Sequence, residues 1–252
     1  MKKPAKKRKT LNIVLKVFIL LTLLDICFYV FTLSIFNEKQ INNQENIYTN
    51  TQKKLPNDVL SLESIDNLQK QYNNKDIIGL LYIPGTNIKE PIVQADDNDY
   101  YLKHDLYKND NIEGAVFLDY RTQIDESFKN LIYSHNSLRY DVPFRELEGY
   151  YDKNYYENHK YIYLKSKRKI AKYKVFSIYV ETDDWNYTKI NFENKKEWFN
   201  HLKYLKEKSW YETKTSISKN DSILILQTCS NLEEYTNYDN KYLLIISKKI
   251  FD

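Results

Sequence analysis

The sequence predicts a mainly β domain, an antiparallel barrel or sandwich, and three observations carry that prediction. Eight short runs rich in β-branched and aromatic residues follow one another at 78–83, 88–94, 115–119, 131–135, 161–165, 171–182, 222–228 and 242–247. A turn signal, Pro84-Gly85, separates the first two; glycine takes a positive φ there at little cost. Only two helical patches interrupt the runs, so their count and spacing favour a barrel or sandwich over an α/β sheet.

Ahead of these strands the chain changes character three times. Residues 1–10 form a basic flank holding Lys2, Lys3, Lys6, Lys7, Arg8 and Lys9. The whole chain of 252 residues has a net charge of +4, so without those six the rest stands near −2. That balance excludes a basic nucleic-acid surface, and no nucleic-acid partner is expected. Residues 11–36 are read as a transmembrane anchor. Within it 17–36 is almost wholly apolar, and a helix of that length spans roughly 30 Å. Its one charge, Asp25, costs about 3 kcal/mol near mid-bilayer, which a dozen apolar neighbours offset. A cleaved secretory signal ranks second, because cleavage favours small residues and no alanine occurs from Thr10 to Gln94. The positive-inside rule then places the long C-terminal portion outside the cytoplasm. Residues 37–55 read as a polar stalk and 56–252 as an extracellular domain.

In that domain Leu60, Leu62, Ile65 and Leu68 recur at roughly helical spacing, predicting one helix between Asn57 and Tyr72 that starts at Pro56-Asn57. A short helical patch covers 142–151. A longer one covers 194–210, with Trp198, Phe199, Leu202 and Leu205 on an apolar face. His104, His159 and His201 sit among Lys, Asp and Asn in stretches read as solvent-facing. None has partners at metal-ligand spacing, so no metal and no cofactor is expected. No acidic cluster implies calcium, and neither a Gly-rich phosphate loop nor a Gly-x-Ser-x-Gly elbow occurs.

Two cysteines are present, and Cys27 falls in the apolar segment, so Cys229 is the single thiol of the external domain and no disulfide forms within it. By itself a lone thiol is more often a buried core residue. Cys229, however, closes the run Leu226-Gln227-Thr228, and His135 closes Leu131-Ile132-Tyr133-Ser134 in the same way. Two strand-end residues able to meet in space are what thiol nucleophilic catalysis needs. The thiolate attacks, and the imidazole gives a proton to the leaving amine.

These segments resemble the sortases, cysteine transpeptidases of class B. Thr228-Cys229 is similar to the end of the signature Thr-Leu-x-Thr-Cys, and Tyr133-Ser134-His135-Asn136 to Tyr-Gly-His-Asn. The resemblance runs through Pro84-Gly85-Thr86-Asn87-Ile88, Pro91-Ile92-Val93-Gln94, Asp97-Asn98, Tyr101-Leu102 and Gly114 to Arg121, similar to Gly-x-x-Phe-x-Asp-x-Arg. Each motif is weak, but their order along 78–250 is specific. The resemblance implies a closed β-barrel of about eight strands, an N-terminal helix, and a long helix inserted before the cysteine strand. It implies that Cys229 attacks a sorting signal of secreted proteins to give an acyl-thioester. His135 would move the protons, and a cell-wall peptide amine would release the product. Asn98 and Leu102 would line the peptide groove; the structural alternatives are a turn cap and a core leucine.

The chain departs from the family at one catalytic position. Class B enzymes carry an arginine on the last strand, and no arginine follows Arg168 here. The apolar run 243–250 puts Tyr242 in its place, with Lys241 beside it as the alternative; alternation sends the two to opposite faces. Gln227 replaces a small residue, Ile225 a threonine, and the loop 230–240 carries Glu233, Glu234 and Asp239. Two other readings stand beside the anchoring enzyme. One is a pilin-polymerising sortase using a pilin lysine, although 37–77 holds no Asp-Pro-Trp-type lid. The other is a degenerate sortase fold acting as a binding or assembly module.

Overall fold

The computed structural model describes residue 22, residues 25–26, 28–35 and 55–251. The chain divides into two units, 1–54 and 55–252. In the first, the described residues are helical. Among the described residues no helix is long and apolar enough to cross a membrane. Most of the segment expected to do so, and nearly all of the expected stalk, lies outside the described residues.

The second unit is a closed barrel of eight strands: β1 Ile77–Tyr82, β2 Lys89–Val93, β3 Val116–Leu118, β4 Lys129–Tyr133, β5 Tyr161–Ser166, β6 Ile170–Glu181, β7 Ile223–Cys229 and β8 Tyr242–Phe251. They neighbour one another in the order β1-β2-β3-β4-β7-β8-β6-β5, and β5 returns to β1. All eight expected strands form. Six pairings are antiparallel, but β2–β3 and β4–β7 are parallel, so the barrel is mixed. The β4–β7 pairing matters most for function, because parallel strands end together.

Side-chain alternation sorts the core. Ile132, Leu224, Leu226, Leu243 and Ile245 fill the barrel interior. Leu131, Ile223, Ile225, Leu244 and Ile246 face outward, under the long helix α4 (Lys195–Glu207) through Trp198, Leu202 and Leu205. Asn194 starts α4, its Oδ1 accepting from the Lys196 and Glu197 amides at 3.0 Å. His201 lies on the same buried face, which corrects its solvent-facing assignment. His104 and His159 are half-buried, each bonded through its ring to a tyrosine carbonyl one helical turn back.

The expected helix over 57–72 is two short ones, α1 Asn57–Leu60 and α2 Ile65–Gln71. The Ser61 amide closes the first on the Asn57 carbonyl, and Ser64 caps the second by accepting from the Asn67 amide at 3.1 Å. Two nearby serines offer the backbone local alternatives to a continuous helix. Both helices still deliver Val59, Ile65 and Leu68 to one outer face of the barrel. The patch at 142–151 is a 3-10 helix, Pro143–Tyr151, followed by a helix the periodicity did not indicate, α3 Lys153–Asn158, capped by Asp152.

Candidate active site

The β4–β7 ladder pairs Tyr133 with Gln227. The Ser134 amide then donates to the Gln227 carbonyl at 3.3 Å, and Thr228 Oγ1 donates to the Ser134 carbonyl at 2.8 Å. Extended two residues past Tyr133 and Gln227, this register sets His135 beside Cys229, and in parallel strands paired residues share a face. Cys229 continues the outward series Ile223, Ile225, Gln227, which explains why a thiol at the end of an apolar strand is open to solvent. Asn136 locks the two strand ends together, its Nδ2 donating to the Cys229 carbonyl at 2.9 Å and to Glu148 Oε1 at 2.7 Å.

Cys229 and His135 open onto a cavity of about 580 Å³ that also takes in Asn98, Leu102, Gln227, Trp185 and Tyr242. All the sequence-predicted site residues except Lys241 therefore line one groove. Leu102 contributes more than an apolar wall: its carbonyl oxygen lies 2.8 Å from His135 Nε2, so the ring N–H donates to it and Nδ1 is the nitrogen left to exchange protons. Asn98 is tied to the groove wall, its Oδ1 accepting from the Tyr120 amide at 3.1 Å and its Nδ2 donating to Asp119 at 3.3 Å.

Tyr242 pairs with Cys229 across β7–β8 and sits on the same outward face, against the Trp185 ring at 5.1 Å. Burial, together with the neighbouring Cys229, raises the Tyr242 hydroxyl above its ordinary range, so it stays neutral. Lys241 sits one residue away, its carbonyl accepting from the Ser230 amide at 2.7 Å. It does not line the groove, yet its charge reaches the thiol. Burial pushes the Cys229 thiol above its ordinary value, and Lys241 pulls it back down.

A cation does line the groove, and it comes from upstream of Arg168 rather than from the last strand. Arg121 chelates Asp119 through Nε at 2.8 Å and Nη2 at 2.7 Å. Asp119 is fully buried and also accepts from Tyr133 Oη at 2.8 Å. Burial alone would raise this carboxyl, but the Arg121 and Tyr133 hydrogen bonds outweigh it and hold Asp119 below the usual carboxylate range. The signal for it in the sequence is Phe117-x-Asp119-x-Arg121, a motif that carries the family resemblance but does not itself place Arg121 in the site. The Asp119 amide donates to the Leu131 carbonyl, which extends the β3–β4 ladder one residue past Leu118.

A solvent-open thiol, an imidazole and a tyrosine hydroxyl on the adjoining strand, all lining one groove, are the groups that acyl transfer through a thioester requires. Comparison with known proteins agrees. A model of the sortase domain matches residues 81–248. Sortase B of Listeria monocytogenes is 34% identical over 175 residues, 69% of this chain and 70% of that protein. A Staphylococcus aureus sortase B–substrate complex superposes with a TM-score of 0.67 at 27% identity, covering 84% of this chain and 98% of the other. A sortase B complexed with triglycine gives 0.67 at 26% identity over 83% and 98%. The chain belongs to the sortase family of cysteine transpeptidases, whose members are associated with the cell surface. Within it, the relatives place the chain in class B.

Proposed function

We propose that the protein is a membrane-anchored sortase B that cleaves the sorting signal of secreted proteins and transfers it to a cell-wall amine. Residues 1–10 are the cytoplasmic flank, 11–36 the single-pass anchor, 37–55 the stalk and 56–252 the extracellular catalytic domain. The observation that supports the reading is that His135 and Cys229, each two residues past the last β4–β7 pair Tyr133–Gln227, line one groove.

The Cys229 thiol gives its proton to His135 Nδ1, and the sulfur attacks the scissile carbonyl of the signal. A C–S bond forms and the carbonyl becomes an oxyanion, which Tyr242 Oη stabilises. As the C–N bond breaks, the imidazolium protonates the leaving amine, and the acyl group remains on Cys229 as a thioester. The incoming amine then loses a proton to His135 and attacks the thioester, so the amide re-forms and the thiol is released. The Leu102 carbonyl holds the ring throughout, and Asn98 and the Leu102 side chain line the path of the peptide.

The test is transfer. The full-length chain, with candidate sorting peptides and either triglycine or a lysine-bearing peptide, yields a new amide whose mass equals the acyl fragment plus the acceptor. Hydrolysis or inactivity with every acceptor contradicts the reading. Transfer to a pilin lysine in preference to cell-wall amines favours polymerisation instead.

A further inference from the structure

Lys129 begins β4, six residues before His135, and is 1% exposed. A lysine so buried is held by its partners or not at all. Its Nζ lies 2.6 Å from the Tyr187 carbonyl, 2.6 Å from the Lys189 carbonyl and 2.9 Å from His201 Nε2. Among the described residues no carboxylate bonds to it. All three partners belong to the excursion between β6 and β7: two are carbonyls of the turn at 187–189, and the third rides on α4. As an ammonium, Lys129 donates to all three. As a neutral amine it donates to both carbonyls and accepts from the His201 N–H. The three bonds survive in either state.

The other end of the same connection is held by a buried group of opposite sign. Glu181, at the end of β6 and 3% exposed, accepts from the amides of Thr182, Asp183 and Asp184 at 3.2 to 3.4 Å. Its second oxygen accepts from Lys208 at 2.5 Å. Between the two anchors stand Trp185 and Thr188, which wall the Cys229 groove. The Trp185 ring spans from Tyr187, at 6.1 Å, to Tyr242, at 5.1 Å, so a shift of the turn reaches the residue paired with Cys229.

Resting on the sortase reading above, we propose that Lys129 is a positioning residue. Its three-pronged grip on Tyr187, Lys189 and His201 fixes the 182–189 wall, so that peptide enters a groove already shaped for it. Lys129 touches no reacting atom. Its effect falls on peptide binding more than on sulfur chemistry.

The experiment compares the full-length wild type with Lys129→Met, which keeps the length of the chain and removes every bond. In Lys129→Met, amide hydrogen exchange across 182–192 accelerates while β7 and β8 stay protected. The KM for a sorting peptide rises roughly tenfold or more, since a loosened wall must be ordered when the peptide binds. The kcat changes by less than about threefold, and alkylation of Cys229 by iodoacetamide keeps its wild-type rate. Unchanged exchange over 182–192, unchanged KM, or a parallel fall in alkylation overturns the proposal. If Lys129→Met does not fold, His201→Leu and His201→Gln decide. The leucine loosens the wall and raises KM, the glutamine carbonyl restores both, and identical behaviour of the two overturns the proposal. Should the wild type turn over no peptide, the functional reading fails, while the exchange measurement still decides whether the grip holds the wall.

Discussion

Cys229 feels two opposed influences: partial burial, which disfavours the thiolate, and the Lys241 charge, which favours it. Burial prevails and holds the thiol above its ordinary range, and in the proposed mechanism His135 takes its proton. Removing the Lys241 charge lets burial act alone. Lys241→Ala therefore moves the pH profile of iodoacetamide alkylation upward and slows the reaction at pH 7.5 roughly two- to fivefold, the range of one solvent-screened charge. An unmoved profile contradicts that role. Tyr242 tests differently, because it donates a hydrogen bond without a charge. Tyr242→Phe slows peptide cleavage by about tenfold to 10²-fold with folding intact, and Tyr242→Arg preserves or raises the rate. If Lys241→Ala cripples cleavage while Tyr242→Phe does not, the residue replacing the family arginine is Lys241.

At the scale of elements, much was legible in the sequence because it is written locally. Short β-rich runs marked the eight strands, and the strand-end placement of Cys229 and His135 marked two residues that line one groove. What escaped depends on topology. The parallel β4–β7 and β2–β3 pairings bring together segments about 94 and 24 residues apart, which no local pattern records. His201 reads as solvent-facing in the sequence, and only the excursion folding back over β4 buries it against Lys129. Arg121 stands within a legible motif, but its place in the groove follows from Asp119 being buried behind it. The break between α1 and α2 turns on two serines, Ser61 donating to the Asp58 carbonyl and Ser64 accepting from the Asn67 amide. Capping is readable where it is simple: Asn194 stands before an amphipathic run and caps α4. Asn194→Ala lowers stability by about 1 kcal/mol in denaturant titration and leaves Cys229 alkylation unchanged. A loss of alkylation would show that α4 controls the nucleophile directly.

Over the whole molecule, closure of the barrel removes free sheet edges and leaves the groove on its outer face, beneath the β6–β7 excursion. Closure also buries groups that answer to pH. Glu90 on β2 is raised to about 7, first by burial and then by nearby Asp141. A carboxyl whose folded value exceeds its unfolded one favours the fold while protonated. Its contribution is complete below the ordinary glutamate range and is lost as pH rises through about 7. Glu90→Gln therefore raises the melting temperature at pH 8 and leaves it unchanged near pH 4; a gain only in acid contradicts the assignment. The central claim is that this barrel carries out thiol acyl transfer through Cys229, and one measurement meets it directly. The full-length chain is mixed with sorting-signal peptides without an acceptor amine, and its intact mass is recorded. The account predicts an added acyl fragment on wild-type protein, discharged by added amine and absent from a folded Cys229→Ala variant. An adduct that persists in Cys229→Ala, or a wild type that acquires none from any signal peptide, contradicts it.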